Sequence, residues 1–473
     1  MSTTNDLSPS FKAYDIRGIV GETITEDIVE AIGAAFVEVL QLAGQNVLVG
    51  GDMRPSSPGF CRAFANGAAA RGAEVQLLGQ ISTDELYYAC GALSAAGATF
   101  TASHNPSEYN GIKLAKAGAV PVSSETGLVE IREQAEAYLA SSIPVADTPG
   151  GIGVHDVLGD YADYLRSLVD LSDSRPLKVV VDAGNGMAGL TTPAVLGEAI
   201  LGPLPLQIVP LYFELDGSFP NHPANPLEPE NLRDLQDAVV KHGADIGLAF
   251  DGDADRCFVI DENGSPVSPS AITALVALRE IARARRGSNL RPPEETPVII
   301  HNLITSKAVP ELVTAAGGRP VRTRVGHSFI KALMAAEGAV FGGEHSAHYY
   351  FRDFYNADTG MLAAMHVLAA LGETQTPLSA LAADYDPYVA SGEVNSRIED
   401  VPAAVSRVRQ SYARDGVAVN ELDGLTFIRE DGQWWFNLRA SNTEPYLRLN
   451  VEAVDQPTME NVRDDVLGLV RNT

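Results

Sequence analysis

The sequence predicts an α/β protein built from three related α/β domains and a smaller C-terminal α+β domain. Three observations carry this. Short apolar, β-branched runs recur at intervals of more than a hundred residues, and each leads through a loop into a helix-like stretch. Turn-rich stretches punctuate the chain. The last hundred or so residues change pattern and read as hairpins.

The first run, Asn46-Val-Leu-Val-Gly-Gly-Asp52, precedes an Ala-rich helical stretch from Pro58 to Arg71. The second is Leu177-Lys-Val-Val-Val-Asp-Ala-Gly-Asn-Gly186, and the third Pro297-Val-Ile-Ile-His-Asn302, leading into 306–316. Unbroken apolar runs suit strands covered on both faces. Pro144, Pro149, Gly150, Gly151 and Gly153 mark a first boundary, and 374–388, with Pro377 and Pro387, a linker to the last domain. The expected domains are 1–152, 153–258, 259–374 and 375–473. In the last of these, Leu425-Thr-Phe-Ile-Arg and Trp434-Trp-Phe-Asn-Leu flank the turn Glu430-Asp-Gly432. Tyr446 to Glu452 reads as a half-exposed strand and Met459 to Val470 as a closing helix.

The 473 residues carry a net charge of −27, which repels a nucleic-acid backbone. The same field repels a phosphorylated small molecule, so such a substrate demands basic residues concentrated at one place. No apolar run is long enough for a membrane helix, and Met1 to Arg17 lacks a basic-then-apolar signal pattern. A cytoplasmic protein without nucleic-acid or membrane partners is expected. Cys61, Cys90 and Cys257 show no paired spacing and read as reduced thiols.

Four motifs carry chemistry. In Thr101-Ala-Ser-His-Asn-Pro-Ser-Glu-Tyr-Asn-Gly-Ile-Lys113, Pro106 and Gly111 exclude a regular helix, so Ser103 sits on a constrained loop. His104, Asn105 and Lys113 can supply the charge-stabilising neighbours that a serine needs in group transfer. Alone, the segment also reads as a capping loop. In Asp251-Gly-Asp-Ala-Asp-Arg256, three alternate carboxylates after a strand need a cation or neutralising partners. All-oxygen ligands favour Mg²⁺, Ca²⁺ or Mn²⁺. Glu262 falls at the twelfth position of a calcium loop, but Arg256 stands where such a loop has glycine. In Gly342-Gly-Glu-His-Ser-Ala-His-Tyr-Tyr-Phe351, an extended stretch points Glu344, Ser346 and His348 to one side, as sugar hydroxyls require. Zinc at His345 and His348 and a plain polar edge strand are the rivals. In Arg439-Ala-Ser-Asn-Thr-Glu-Pro445, Arg439, Ser441, Asn442 and Thr443 form an anion cradle, with an ordinary turn as the alternative. Ala13-Tyr-Asp-Ile-Arg-Gly18 places Tyr14 and Arg17 early in the chain, and Thr323-Arg-Val-Gly-His-Ser328 adds Arg324 and His327. The demanded cations, Arg17, His104, Lys113, Arg256, His327 and Arg439, all fall in motifs read as loops.

Together, TASHNPxxYNGxK, DGDADR, GExSxH and RxSNTEP resemble the α-D-phosphohexomutase superfamily over nearly the whole chain. Gly343-Glu-His-Ser-Ala-His-Tyr-Tyr-Phe-Arg-Asp353 is similar to the phosphomannomutase/phosphoglucomutase branch. The resemblance implies four domains around a central cleft and an isomerase that interconverts hexose 6-phosphate and hexose 1-phosphate. It implies a phosphoserine at Ser103, Mg²⁺ held by that phosphate with Asp251, Asp253 and Asp255, and a hexose 1,6-bisphosphate intermediate that also serves as activator. Lys113 and His104 would manage the sugar-hydroxyl proton, with Arg256 steadying phosphate and Arg17 a further catalytic and substrate-binding residue. Glu344, Ser346 and His348 would grip the sugar, with Tyr14 and His327 beside it. Arg439, Ser441, Asn442 and Thr443 would hold the phosphate not in transfer. Mannose phosphates are the expected substrates, glucose phosphates the second, and the protein is expected to be a monomer or homodimer. His345 stands where that branch more often has Met. The alternatives are a phosphoglucosamine mutase, and a non-enzymatic calcium- or sugar-phosphate-binding protein on the same scaffold.

Overall fold

The run near residue 46 forms the strand Asn46–Gly51, in which every residue after Asn46 is buried. The strand is central, with Glu74–Gln80 and Ala96–Phe100 parallel to it on its two sides. That position requires apolar side chains on both faces. The helices Glu26–Leu40 and Ser57–Ala70 supply one covering layer, where Phe36 meets Phe64 and Phe64 meets Phe100 of the sheet.

The computed structural model describes residues 6–287, 291–440 and 446–471, with only the backbone of 327 and 328. The chain divides into two compact units: Met1–Val267 with Ser346–Ser379, and Ser268–His345 with Ala380–Thr473.

The first unit holds two sheets. One runs in the order Ile16–Ile19, Tyr109–Lys116, Ala96–Phe100, Asn46–Gly51, Glu74–Gln80, Ile152–Val154, with Val120–Pro121 paired to Tyr109–Lys116. The other runs Pro266–Val267, Cys257–Ile260, Ile246–Phe250, Leu177–Asp182, Leu206–Leu211. The divisions expected at 152/153 and 258/259 fall inside strands. Ile152–Val154 pairs back onto Glu74–Gln80, and Cys257–Ile260 turns back antiparallel on Ile246–Phe250. Backbone hydrogen bonds thus hold both strands to the sheet before them. Two further strands of this unit, Tyr349–Phe351 and Ala357–Asp358, form an antiparallel pair ahead of the buried helix Gly360–Gly372.

In the second unit, Val298–Asn302 is parallel to both Arg319–Thr323 and Phe341–Gly343. The C-terminal sheet is antiparallel, in the order Val389–Arg397, Tyr446–Ala453, Trp434–Ala440, Leu425–Arg429, Val417–Asn420. The hairpin expected around Glu430 is its Leu425–Arg429/Trp434–Ala440 pair. Tyr412, Phe427, Phe436, Val462 and Val466 join this sheet to the helices Val401–Tyr412 and Gln456–Arg471. Tyr446–Ala453 is more buried than a half-exposed strand: helix covers the face of Leu447, Leu449 and Val451, and on the opposite face Glu452 is buried against Trp435 Nε1 and Lys307 N. The stretch 374–388 contains a short helix, Leu378–Ala383.

Candidate active site

Ser103 lies in the turn between Ala96–Phe100 and Tyr109–Lys116, buried and at φ 50°. A left-handed serine is uncommon and persists only where its surroundings impose it. Its N–H donates to Thr101 Oγ1 at 2.9 Å. Its Oγ donates to Asp251 Oδ2 at 2.8 Å and accepts from Arg256 Nη2 at 3.1 Å. The two loops touch through backbone as well. A Cβ on Gly252 would meet Ser103 O at 2.5 Å, so the residue between the first two aspartates has no room for a side chain.

The three aspartates are buried, and their ligand oxygens lie within 4.8 Å of one another. Asp251 Oδ2 also accepts from Arg256 Nε at 2.9 Å. Lys113 Nζ sits 2.6 Å from Asp253 Oδ2 and 2.7 Å from Asp255 Oδ2. Thr83, at the start of the helix Thr83–Ala92, donates its N–H to Asp253 O at 3.0 Å and its hydroxyl to Asp253 Oδ2 at 2.6 Å. Burial pushes Asp251 up, to about 8, against the pull of Arg256. Burial works the same way on Asp255, but Lys113 and His348 outweigh it and hold that carboxyl below the usual range. Burial weakens the charge on Lys113, yet Asp253 and Asp255 together hold it protonated, well above the ordinary lysine value.

The arrangement fits a divalent cation. Asp253 Oδ1 and Asp255 Oδ1 are buried without a hydrogen-bond donor among the described residues. Buried acceptors of this kind are costly unless something else satisfies them. The donor set is all oxygen, as Mg²⁺ prefers. Glu262 does not complete a calcium loop: its carboxylate receives Ser379 N at 3.0 Å, and Cys257–Ile260 is a strand.

His104 is drawn into the same cluster. Its Nδ1 lies 2.6 Å from Arg256 Nη2 and 3.2 Å from Ser103 Oγ. Burial, with Arg256 and Arg17 nearby, lowers the imidazole to about 3, so the ring is neutral and Nδ1 accepts from Arg256. His104 also lines a cavity of about 500 Å³, together with Asn105, Pro106, Pro223, Asn225, Glu228, Glu230 and Asn231.

Four consecutive domain descriptions of one family match the chain: phosphoglucomutase/phosphomannomutase alpha/beta/alpha domain I over residues 8–141, domain II over 159–264, domain III over 269–388, and the C-terminal domain over 393–469.

The chain belongs to the phosphoglucomutase/phosphomannomutase family.

It is similar to a phosphomannomutase of Escherichia coli K12, 40% identical over 95% of this chain and 96% of that protein. A protein of Xanthomonas campestris described as phosphohexose mutases is 40% identical over 98% of this chain and 99% of its own. Among solved structures, a phosphoglucomutase/phosphomannomutase family protein of Burkholderia thailandensis matches with TM-score 0.85 and 30% identity, over 98% of this chain and 97% of that one. The chain is therefore a phosphohexomutase, an isomerase, and no helix among its described residues is long and apolar enough to cross a membrane.

Within this phosphohexomutase the first unit brings Ser103, His104, Lys113, Asp251, Asp253, Asp255 and Arg256 together. Arg17 reaches the same loop, with Nη1 on Asn105 Oδ1 at 2.5 Å and Nε on Asp15 at 2.7 Å. Arg17 and Lys113 do not lie in loops as read from the sequence. They occupy the neighbouring antiparallel strands Ile16–Ile19 and Tyr109–Lys116, whose pleat aims them. Tyr14, half-buried, stands just before the first of these.

The reading of 344–348 as an extended stretch is corrected. Residues 345–347 turn, with Ala347 at φ 64°, so alternate residues do not simply share a face. Ser346 Oγ and His348 Nδ1 still meet at 3.2 Å, and His348 Nε2 is 3.6 Å from Asp255 Oδ1. Glu344 belongs to the second unit, where Asn302 Nδ2 donates to its Oε2 at 3.0 Å and to His345 Nδ1 at 3.0 Å.

Also in the second unit, Arg439 is on the strand Trp434–Ala440 rather than in a loop. Its Nη2 and Arg448 Nη1 share the Glu393 carboxylate at 3.2 and 3.1 Å. Ser441, Asn442 and Thr443, and the side chain of His327, lie outside the described residues. Sequence reading missed Thr83, Asn302 and Arg54. The only available signal for Arg54 was its place two residues beyond Asp52 in the first Gly/Asp loop.

Proposed function

We propose that this phosphohexomutase acts on mannose phosphates first and glucose phosphates second, through a phosphoserine at Ser103 and a hexose 1,6-bisphosphate intermediate. The observation that carries the reading is the position of Ser103 Oγ. It is held by Asp251 and Arg256 in the same cluster as two buried carboxylate oxygens that have no donor among the described residues. Phosphomannomutases of several bacteria among the relatives support mannose.

In the proposed cycle the serine O–P bond breaks as a new O–P bond forms to the free hydroxyl of a hexose monophosphate. The bisphosphate turns over, and its other phosphoryl group returns to Ser103. Arg256 steadies the phosphoryl group in both transfers. Lys113 and His104 would manage the proton that leaves the sugar hydroxyl and returns to Ser103 Oγ. Mg²⁺ held by Asp251, Asp253, Asp255 and the Ser103 phosphate would neutralise charge on the transferring group. Glu344, Ser346 and His348 grip the sugar, with Tyr14, Arg17 and His327 beside it. Arg439, Ser441, Asn442 and Thr443 take the other phosphate. A cytoplasmic location and a monomer or homodimer complete the proposal.

Ser103→Ala should abolish interconversion of mannose 1- and 6-phosphate in the presence of Mg²⁺ and bisphosphate activator. Full activity in that variant would refute the mechanism. kcat/KM for mannose, glucose and glucosamine 1-phosphates decides the sugar, and a clear preference for glucosamine would replace this reading by a phosphoglucosamine mutase.

A further inference from the structure

Arg54 follows the central strand Asn46–Gly51 by three residues and is among the largest fully buried side chains of the chain. A guanidinium has five N–H groups in a rigid planar fork, and here each has an acceptor. Nε donates to Asp52 Oδ2 at 3.2 Å. Nη1 donates to Pro106 O and Tyr109 O, both at 2.8 Å. Nη2 donates to Ser103 O at 3.0 Å and Asn105 O at 2.7 Å. Four of the five bonds thus end on backbone carbonyls of one loop, the loop that carries Ser103.

The surroundings fix the fork in turn. Asp52 Oδ1 accepts from Arg54 N at 3.0 Å and from Ser57 Oγ at 2.8 Å. The Phe219 ring covers the guanidinium carbon at 5.2 Å. A Cβ on Gly217 would stand 2.6 Å from Arg54 Cα, so that segment also closes directly over the arginine. Besides the bond from Ser103 N to Thr101 Oγ1, the loop's own bonds run from Asn105 N to Ala102 O at 3.0 Å and from Tyr109 N to Pro106 O at 3.1 Å, and none uses the carbonyls of Ser103 and Asn105. Pro106 has no N–H to give, and Ser103 sits in the left-handed region, which costs free energy without outside support.

We propose that Arg54 is a positioning residue for phosphoryl transfer: its fork holds the carbonyls of 103–109 so that Ser103 Oγ faces Asp251 and Arg256. The inference rests on the reading of Ser103 as the phosphoryl carrier. Arg54 bonds to the loop's backbone and to Asp52 and makes no contact with the serine hydroxyl, so it acts on the geometry of transfer and not on substrate affinity. Lysine, with three donors on a point charge, cannot serve four carbonyls in a plane.

The test compares full-length wild type, Arg54→Lys, Arg54→Gln and Asp52→Asn after charging with hexose 1,6-bisphosphate and Mg²⁺. Melting temperature, kcat, KM for mannose 1-phosphate, intact mass and the ³¹P resonance of the phosphoserine are recorded. In folded Arg54→Lys, kcat should fall by at least about tenfold with KM within about twofold, and the ³¹P resonance should shift or broaden, as expected of a displaced reacting group. Unchanged kcat overturns the proposal. So does a loss of kcat matched by an equal loss of folded protein with an unmoved resonance. If neither Arg54 variant folds, Asp52→Asn decides, because it removes the charge that anchors the fork at Nε: a fall in kcat at constant KM with a shifted ³¹P resonance supports the proposal, and an unchanged kcat overturns it. Wild type is the control for the underlying reading. If wild type shows neither phosphoserine nor mutase activity, the Ser103 mechanism fails and takes this inference with it. Failure confined to the Arg54 and Asp52 variants leaves that mechanism standing.

Discussion

Arg256 donates from Nη2 to Nδ1 of His104 across 2.6 Å. An imidazolium could not accept that bond and would repel the guanidinium, so the folded protein keeps His104 neutral, with its titration lowered to about 3 from 6.5. The unfolded chain binds a proton there below about pH 6.5, while the folded chain does not until about pH 3. Stability therefore falls as pH drops through this window. His104→Gln should lose less stability than wild type between about pH 7 and about pH 5. Urea unfolding at both pH values checks this, and equal losses in the two proteins would refute it.

The aspartate cluster should respond to a divalent cation even without substrate. Mg²⁺ well above its dissociation constant should raise the melting temperature by a few degrees, since binding to the native state alone is worth about 2.7 kcal/mol at a hundredfold excess. Asp253→Asn should abolish the rise. A rise of equal size in that variant would place the cation elsewhere.

Lys113 is the internal counter-charge of the same cluster. Lys113→Met leaves Asp253 and Asp255 facing each other in a buried site, and loss of one partner from such a group costs about 3 kcal/mol or more. Mg²⁺ should recover more stability in this variant than in wild type. Denaturation with and without Mg²⁺ measures the difference, and an equal gain in both would contradict the pairing.

Gly252→Ala tests the contact between the two loops. Its Cβ would stand 2.5 Å from Ser103 O, so the loops must part. The expected stability cost is about 1–3 kcal/mol, and the expected loss in kcat is about a hundredfold. Calorimetry and mutase assays should show activity suffering more than folding.

Asn302 orients Glu344 within the second unit. Its Oδ1 accepts from the N–H groups of Ile304 and Thr305, which aims Nδ2 at the Glu344 carboxylate. On the role proposed for Glu344 in gripping the sugar, Asn302→Ala should raise KM for the sugar phosphate by about tenfold with little change in kcat. Steady-state kinetics that show kcat falling and KM constant would contradict this role.

Some of this was legible in the chain itself. Val47–Val49, Val179–Val181 and Ile299–Ile300 announce strands buried on both faces, because burial imposes an apolar run wherever it occurs. The serine and aspartate loops are compact motifs whose residue types declare their chemistry within a few positions. Family membership follows from such local strings in order.

The tertiary structure alone decided the rest. Lys113 meets Asp255 across 142 positions, and Arg54 meets Ser103 O across 49. No periodicity encodes such pairs, since they depend on how sheets and loops pack. The same holds for Arg17, Lys113 and Arg439, which belong to strands although their polar neighbours read as loops. It holds also for the turn at Ala347, where left-handed backbone breaks an alternation the letters suggest. Sequence determines which residues can do chemistry. Packing decides which buried partner each one answers to, because burial turns a nearby charge or carbonyl into the strongest influence on its neighbour.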